Sequence, residues 1–416
     1  AGAGAGIGTL FAALAGEHVD GHDYAGAAVA SGAVGVLGSR AVEADCVVVP
    51  DVTDALARLA QWNIDQLDVQ TIGVTGSQGK TGVKDLLAHV LHDTGATVAP
   101  VGSFNNELGV PLTVLRADRS TRFLVVEMGA RGVGHIAHLC RIAPPTVGVV
   151  LNVGHAHIGE FGSPEAISQA KGELVEALPA GGVAVLNADD PLVSPMARRT
   201  RARVLTFGGS GDVVPGPVTV DDDGSPHFTL THEGISADVV VPQMGAHHAI
   251  NAAAAAAAAL AVGLDLVTIA ARLSTARAAS PMRMERHDRA DGLVVINDAY
   301  NANPESMTAA LRSVASIARG HGVAVLGGML ELGDDSSGSH LEIGRLAAEL
   351  GFTRVVVVGE GARGIATGAG PIAEWVPDVD VAVRTLSASL TGDEVVLVKA
   401  SRGERLERVA LALLQS

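Results

Sequence analysis

Cysteine is nearly absent: Cys46 and Cys140 are the only two in 416 residues, which excludes a disulfide framework and any CxxC metal site. Both read as small buried residues of a protein kept in a reducing compartment. Aromatics make up 3% of the chain against 48% hydrophobic residues, so its cores must be built from Ala, Val, Leu and Ile. Basic charge is scarce too. The chain has 29 Lys and Arg against 45 Asp and Glu, a formal net charge of −16, and no Lys/Arg-rich run. That balance opposes nucleic acid or an anionic membrane as partner, since both need clustered cations. Long apolar runs are missing as well. The most apolar stretch, "AAAAAAAALAV" at 252–262, is shorter than the roughly 20 residues a bilayer span requires. It reads as a tightly packed interior helix, since alanine combines helix propensity with close approach. The opening "AGAGAGIGTLF" lacks the charged n-region and long apolar segment of a signal peptide. A cytoplasmic protein is expected.

At 416 residues the chain exceeds one ordinary core. Short β-branched runs ending in Gly, Asn or Asp alternate with helical patterns: "DCVVVP", "TIGVTG", "RFLVVEMGA", "TVGVVLNV" and "GVAVLNADD". Helical periodicity fills 84–91 and 164–178 between them, the pattern of a parallel sheet flanked by helices. The stretch 215–242 differs, its alternating runs "HFTLTHEG" and "SADVVVP" predicting an appended hairpin. Alternation restarts near Leu293 with "GLVVIND", "GVAVLGG", "RVVVVGE" and "EVVLVKA", while 275–291 reads as a linker. The expectation is an α/β protein of three domains: a small N-terminal α/β domain over 1–62, a central P-loop ATPase-like, mostly parallel sheet over 63–280, and a Rossmann-like domain over 281–416.

One turn carries chemistry. In "GVTGSQGKTGVKDLL", at 73–87, a strand leads into a glycine-rich loop, a lysine, a threonine and a helical pattern from Gly82. Such a loop lets backbone N–H groups converge on phosphate oxygens at a helix N-terminus. Lys80 would reach the β- and γ-phosphates, and the Thr81 hydroxyl would bind Mg²⁺. Val74 replaces the first glycine of the strict G-x-x-x-x-G-K-[ST] spacing, so a plain βα turn with a solvated lysine is the alternative. The order of strand, turn, GKT and helix favours a nucleoside triphosphate.

A phosphate loop does not name a reaction. The stretches "GSFNNELGVPLTVL", "VVEMGARGVGHI", "NVGHAHIGEFGSPEAISQAKGEL", "MGAHHAIN", "NDAYNANPESMTAAL", "VLGGMLELG" and "VKASRGERL" follow it in that order. Together with "TGSQGKT" they closely resemble the Mur ligase family, from "GTLFAALAGEHVDGHDY" to the C-terminus. Within that family, "FNNELGVPLT" and "DAYNANPESM" point to the member that adds D-alanyl-D-alanine to a UDP-N-acetylmuramoyl-tripeptide, a step of peptidoglycan precursor synthesis. The resemblance implies ATP, two Mg²⁺ ions, an acyl-phosphate intermediate and a monomeric enzyme.

Site residues follow from the same resemblance. Thr75, Gly76, Ser77, Gln78, Gly79, Lys80 and Thr81 would hold ATP phosphates, with His247 and Asn251 at the adenine and Arg283 and Asp298 at the phosphates and ribose. Glu127, at the end of the run "FLVV", would be a Mg²⁺ ligand beside Thr81, a placement that suits α/β sites and a hard cation. His157 would bind the second ion, with His155 a neighbour, and Lys171 matches a lysine that the family carbamylates into a second carboxylate ligand. Taken alone, each of these has an ordinary reading: a solvated strand-end acid, a hydrogen-bonded loop histidine, a surface lysine. Lys80, Lys171 and His157 would be the catalytic set. Asn105 and Asn106 would hold the muramoyl substrate, and Asn301, Asn303, Ser401 and Arg402 the dipeptide. An arginine fork suits a carboxylate.

Two departures stand out. "AGAGAGI" replaces the D-S-R expected before "GTLF", so the uridine-binding residues are unassigned, and Gly328 stands where relatives carry Asp. Rival readings are another amide ligase of the family, tripeptide-forming or folylpolyglutamate-like, and a nucleotide-binding regulator without ligase activity. Glu127, His157 and Lys171 together weigh against the regulator, because binding ATP needs no second metal site.

Overall fold

The computed structural model describes residues 8–16, 19–154, 161–330, 332 and 336–415. It is an α/β molecule in three parts, each built on its own parallel or mostly parallel sheet.

The N-terminal part is a three-stranded parallel sheet, β1 (Leu10–Ala12), β2 (Gly35–Gly38) and β3 (Cys46–Val48), with the short helix α1 (Ala25–Ala30). Helix α2 (Val52–Ile64) follows, capped by Asp51, whose side chain accepts from Asp54 N–H. The division expected at 62 falls inside this helix. Its apolar stripe continues through Ala57, Ala60 and Ile64 into the core of the central sheet, so the chain has no reason to break at Trp62. Cys46 is half-buried and Cys140 buried, the latter with its thiol pushed up to about 12 by burial.

The central sheet is wholly parallel, in the order β5-β6-β4-β7-β8-β9. Its strands are β4 (Gln70–Thr75), β5 (Thr97–Val98), β6 (Phe123–Glu127), β7 (Val147–Val150), β8 (Val183–Asn187) and β9 (Arg203–Phe207). Helices α3 (Lys80–His92), α4 (Gly109–Val114), α5 (His135–Ile142) and α6 (Pro164–Glu176) connect them. Strand order reverses beside β4, the switch point where doubly wound sheets bind ligands. The predicted hairpin is part of a four-stranded antiparallel sheet: β10 (Val214–Pro215), β11 (Thr219–Val220), β12 (Pro226–His232) and β13 (Ile235–Val240). It packs with the central sheet around α7 (His248–Ala261), where every residue of the run 252–259 is an alanine and fully buried. Alanine here lets helix and sheets approach closely, as its abundance predicts. Helix α8 (Leu266–Leu273) closes this core.

The C-terminal sheet has the order β14-β15-β19-β16-β17-β18, parallel except at β14. Its strands are β14 (Glu285–Asp288), β15 (Val294–Asn297), β16 (Gly322–Leu326), β17 (Arg354–Val358), β18 (Ala373–Val376) and β19 (Val395–Lys399). They carry α9 (Pro304–Ala318), α10 (Ser336–Glu349), α11 (Arg363–Ala369), α12 (Val379–Ser387) and α13 (Glu407–Gln415). The stretch expected as a linker thus contains β14. Its sequence "ERHD" has no apolar signature because it is an antiparallel edge strand, partly exposed on both faces. No helix among the described residues is long and apolar enough to cross a membrane.

Candidate active site

The turn after β4 folds as its glycines require. A Cβ on Gly76 would sit 2.8 Å from Leu151 Cβ, and Gly79 adopts φ +81° with no room before Asn251 Oδ1. Gly79 is the N-cap of α3 and supplies no side-chain cap, so the first-turn N–H groups keep their orientation toward an anion. The helix starts at Lys80, two residues before the predicted start. Asn152, at the end of β7, clamps the loop: its Oδ1 accepts from Gln78 N–H (3.0 Å) and its Nδ2 donates to Gln78 O (3.2 Å). Ser77 Oγ accepts from Gly154 N–H (2.9 Å), and Thr75 Oγ1 donates to Met128 O (2.8 Å). Ser77 and Thr75 side chains therefore shape the loop.

Lys80 Nζ donates to Gly76 O at 2.7 Å, folded back over the loop. Burial lowers its pKa, the Glu127 carboxylate pulls it back up and the Arg283 guanidinium pushes it down. Arg283 therefore lies close enough to act on the same space as Lys80. Glu127, 1% exposed, is the hub: Oε2 accepts from Thr81 Oγ1 (2.9 Å) and Oε1 from Asn105 Nδ2 (2.8 Å). A hydroxyl and a carboxylate beside a phosphate loop are the hard oxygen donors that Mg²⁺ takes together with substrate phosphates. Asn105 thus joins the carboxylate that the sequence pairs with Thr81. Asn106 does not: its Oδ1 accepts from Gly109 N–H (2.9 Å) and Leu108 N–H (3.3 Å), bracing the start of α4. A cavity of about 320 Å³ adjoins this loop, lined by Asn106, Glu107, Gly129, Gly134, His135, His138 and Leu139.

Lys171, 4% exposed, projects from α6 and makes no hydrogen bond among the described residues. Burial, with the charge of Lys80 nearby, holds its pKa well below the usual lysine range. A surface lysine is excluded. His157 and His155 lie outside the described residues, and among those described no group of three His, Cys, Asp or Glu could hold a metal. An unmodified Lys171 does not fit a cation; a carbamate there would.

Asn251 stands against the loop, its carboxamide beside Gly79 and Gly82. His247 stacks on His248 with ring centroids 4.3 Å apart. Burial lowers the pKa of His247, against the attraction of Asp298, and keeps that of His248 well below the usual range.

The C-terminal residues named for the nucleotide and dipeptide also bond within the chain. Asp298 Oδ2 accepts from Lys399 Nζ (2.6 Å) and Oδ1 from Met284 N–H (3.1 Å), in a pair where Lys399 is 2% exposed. Its carboxylate therefore faces a lysine at the end of the neighbouring strand. Asn301 offers its backbone carbonyl to the same amine (2.8 Å). Asn303 is the N-cap of α9, in a capping box with Ser306. Ser401 Oγ accepts from Leu330 N–H (2.9 Å) and is buried. A Cβ at Gly328 would sit 2.8 Å from Glu404 Oε1, the free end of a flexible side chain, so an aspartate here would need Glu404 to turn aside. Arg402 and Arg283 flank the Tyr300 ring, 5.9 and 4.3 Å from its centroid.

Asn152, Tyr300, Lys399 and His248 escaped the sequence reading. Each stands inside a quoted motif, Tyr300 and His248 directly beside a residue named there, but only the folded chain shows which side chain points inward.

Three family models match the chain: the Mur ligase middle domain over residues 74–259, the Mur ligase glutamate ligase domain over 282–402 and the Mur ligase family catalytic domain over 1–72. The chain belongs to the Mur ligase family. Within it, the UDP-N-acetylmuramoyl-tripeptide–D-alanyl-D-alanine ligase of Mycobacterium tuberculosis is 46% identical, the match covering 98% of this chain and 90% of that protein. Crystal structure I of MurF from Acinetobacter baumannii superposes with a TM-score of 0.89 at 32% identity, covering 99% of this chain and 92% of that one. MurF ligase from Thermotoga maritima in complex with ADP gives 0.84 at 30% identity, covering 99% and 95%.

Proposed function

We propose that this chain joins D-alanyl-D-alanine to UDP-N-acetylmuramoyl-tripeptide at the expense of ATP, giving the muramoyl-pentapeptide precursor of peptidoglycan. The observation that carries the reading is Glu127, whose two oxygens are shared between Thr81 of the phosphate loop and Asn105 of the adjoining loop. On this reading nucleotide and carboxylate substrate would meet at one buried acid. The 46% identity to a ligase of that name supports the choice of substrates.

The chemistry proceeds in two steps. A carboxylate oxygen of the tripeptide attacks the γ-phosphorus of ATP, ADP leaves, and an acyl phosphate forms. The amine of D-alanyl-D-alanine then attacks the acyl carbon, loses a proton, and expels phosphate. Lys80 and Arg283 supply positive charge where phosphoryl oxygens gather it, and positioning does the rest. Thr81 and Glu127 would hold one Mg²⁺, which neutralises phosphate charge when bound. A second ion would need His157 and a carbamate on Lys171. Burial lowers the pKa of Lys171 and so favours its neutral amine, the form that adds carbon dioxide.

In domain terms, we assign uridine diphosphate to the N-terminal part, ATP to the central sheet and the dipeptide to the C-terminal sheet, near Arg402. The cavity beside Asn106 and His135 is our choice for the muramoyl-peptide. We place the reaction in the cytoplasm, where ATP and free thiols such as Cys46 and Cys140 coexist, and take the monomer as the working unit. The test is ADP formation by the purified chain with ATP, Mg²⁺ and UDP-N-acetylmuramoyl-tripeptide, with and without D-alanyl-D-alanine. Sustained turnover that requires both acceptor and dipeptide is expected. Turnover indifferent to the dipeptide would refute the reading.

A further inference from the structure

Three separated segments meet on Tyr300. Its hydroxyl accepts from Ser103 Oγ, two residues before Asn105, and so reaches from the C-terminal part into the central one. The Arg283 guanidinium stands 4.3 Å from its ring centroid and that of Arg402 5.9 Å. Its own N–H donates to Met282 O (3.2 Å), beside Arg283.

The backbone around Arg283 is fixed independently. Met282 and Met284 both adopt positive φ, +57° and +47°, a region that side-chain-bearing residues rarely occupy. Met282 N–H is held by Glu285 Oε2 (2.9 Å) and Met284 N–H by Asp298 Oδ1 (3.1 Å), the carboxylate that Lys399 anchors. With the main chain pinned on both sides, the direction of the Arg283 side chain is left to what it packs on, and that is the Tyr300 ring. An aromatic face suits this task. It holds a guanidinium without neutralising it and without consuming its N–H donors; Arg402 gives one of its own to Met282 Sδ (2.8 Å) and keeps the others.

We propose that Tyr300 is a positioning residue for ligation: its ring aims Arg283 at the transferring phosphoryl group and Arg402 at the dipeptide carboxylate, and its hydroxyl ties both to the Asn105 loop. The proposal rests on the ligase reading above. It makes the phenol and the ring separable in their effects, because one serves the muramoyl-peptide loop and the other the two arginines.

The experiment is steady-state kinetics of the full chain, varying ATP, UDP-N-acetylmuramoyl-tripeptide and D-alanyl-D-alanine in turn, for Tyr300→Leu, Tyr300→Phe, Ser103→Ala and the Ser103→Ala/Tyr300→Phe double variant, with thermal melts alongside. Tyr300→Leu should lower kcat about 100-fold, the scale of a misplaced catalytic group, and raise KM for D-alanyl-D-alanine. Tyr300→Phe should keep kcat and raise KM for the muramoyl-tripeptide about fivefold, one hydrogen bond's worth. Ser103→Ala should match it, and the double variant should be no worse than either single one. Unchanged kinetics in Tyr300→Leu, or additive effects in the double variant, would overturn the assignment. So would equal rises in all three KM values, the mark of a general structural role. Should Tyr300→Leu not fold, the Phe and Ala variants decide through the same KM pattern. A wild-type chain that makes no product sinks the ligase reading and this assignment with it; an active wild type with an indifferent Tyr300 sinks the assignment alone.

Discussion

The carboxyl ends of the central and C-terminal sheets face one another across the candidate site, yet they use their polar residues differently. At the central sheet, Lys80, Thr81, Glu127, Asn105 and Asn251 crowd one space, and Lys171 stands buried with its amine unengaged among the described residues. At the C-terminal sheet, Asp298 and Lys399 neutralise each other, Asn303 caps a helix and Ser401 holds Leu330. One end keeps its charges for a ligand. The other uses most of them to brace loops, with Arg283 and Arg402 gathered on the Tyr300 ring. The lesson is that a polar residue at a strand's carboxyl end is a candidate ligand only until the loop's own hydrogen bonds have been counted.

If that contrast is right, central variants lose rate at constant stability and C-terminal variants lose stability before rate. Lys80→Ala gives the largest effect: ligation falls about a thousandfold or more as charge leaves the phosphate oxygens, while the melting temperature holds because only the bond to Gly76 O is lost. Turnover and a thermal melt of the same sample check it. Glu127→Gln comes next, about 100-fold down in kcat, with a raised magnesium requirement read by titrating the ion at fixed ATP. Lys171→Ala should be nearly as slow, and its melting temperature should stay or rise, because a buried amine with no hydrogen-bond partner among the described residues is costly to keep. Millimolar acetate should restore part of its rate if a carbamate is what Lys171 provides; no recovery with any small carboxylate would count against the modification.

The C-terminal variants should behave in the opposite sense. Asp298→Asn leaves Lys399 charged and buried without its counter-ion, a loss of about 3 kcal/mol measurable by urea unfolding. Asn303→Ala is the smallest: it removes one cap of α9 for about 1 kcal/mol, with kcat within twofold of wild type. A large kinetic defect in a stable Asn303→Ala protein would return that residue to the substrate.

The sequence was most legible where structure is local. Buried parallel strands such as "TIGVTG" and "RVVVVGE" announce themselves because both faces are covered, and the loop of 76–81 is fixed by its own glycines. The edge strand β14 carries no apolar run and passed for a linker, and α2 was cut at Trp62 because its continuity depends on packing against a sheet yet to come. At the site, Lys80 and Thr81 stand in a recognisable loop motif, and Glu127 draws notice through the family resemblance rather than through its strand end. The meeting of Asn105 with Glu127, of Lys399 with Asp298 and of Ser103 with Tyr300 was not legible, since each joins residues far apart in the chain by a side-chain direction that no spacing encodes.

The most direct test of the central claim follows an atom. With ¹⁸O in the terminal carboxylate of UDP-N-acetylmuramoyl-tripeptide, attack on ATP and later expulsion of phosphate carry one labelled oxygen from the peptide into inorganic phosphate. Mass spectrometry of the phosphate released during ligation should show one ¹⁸O per turnover. Pentapeptide formed with unlabelled phosphate would contradict an acyl phosphate at this site.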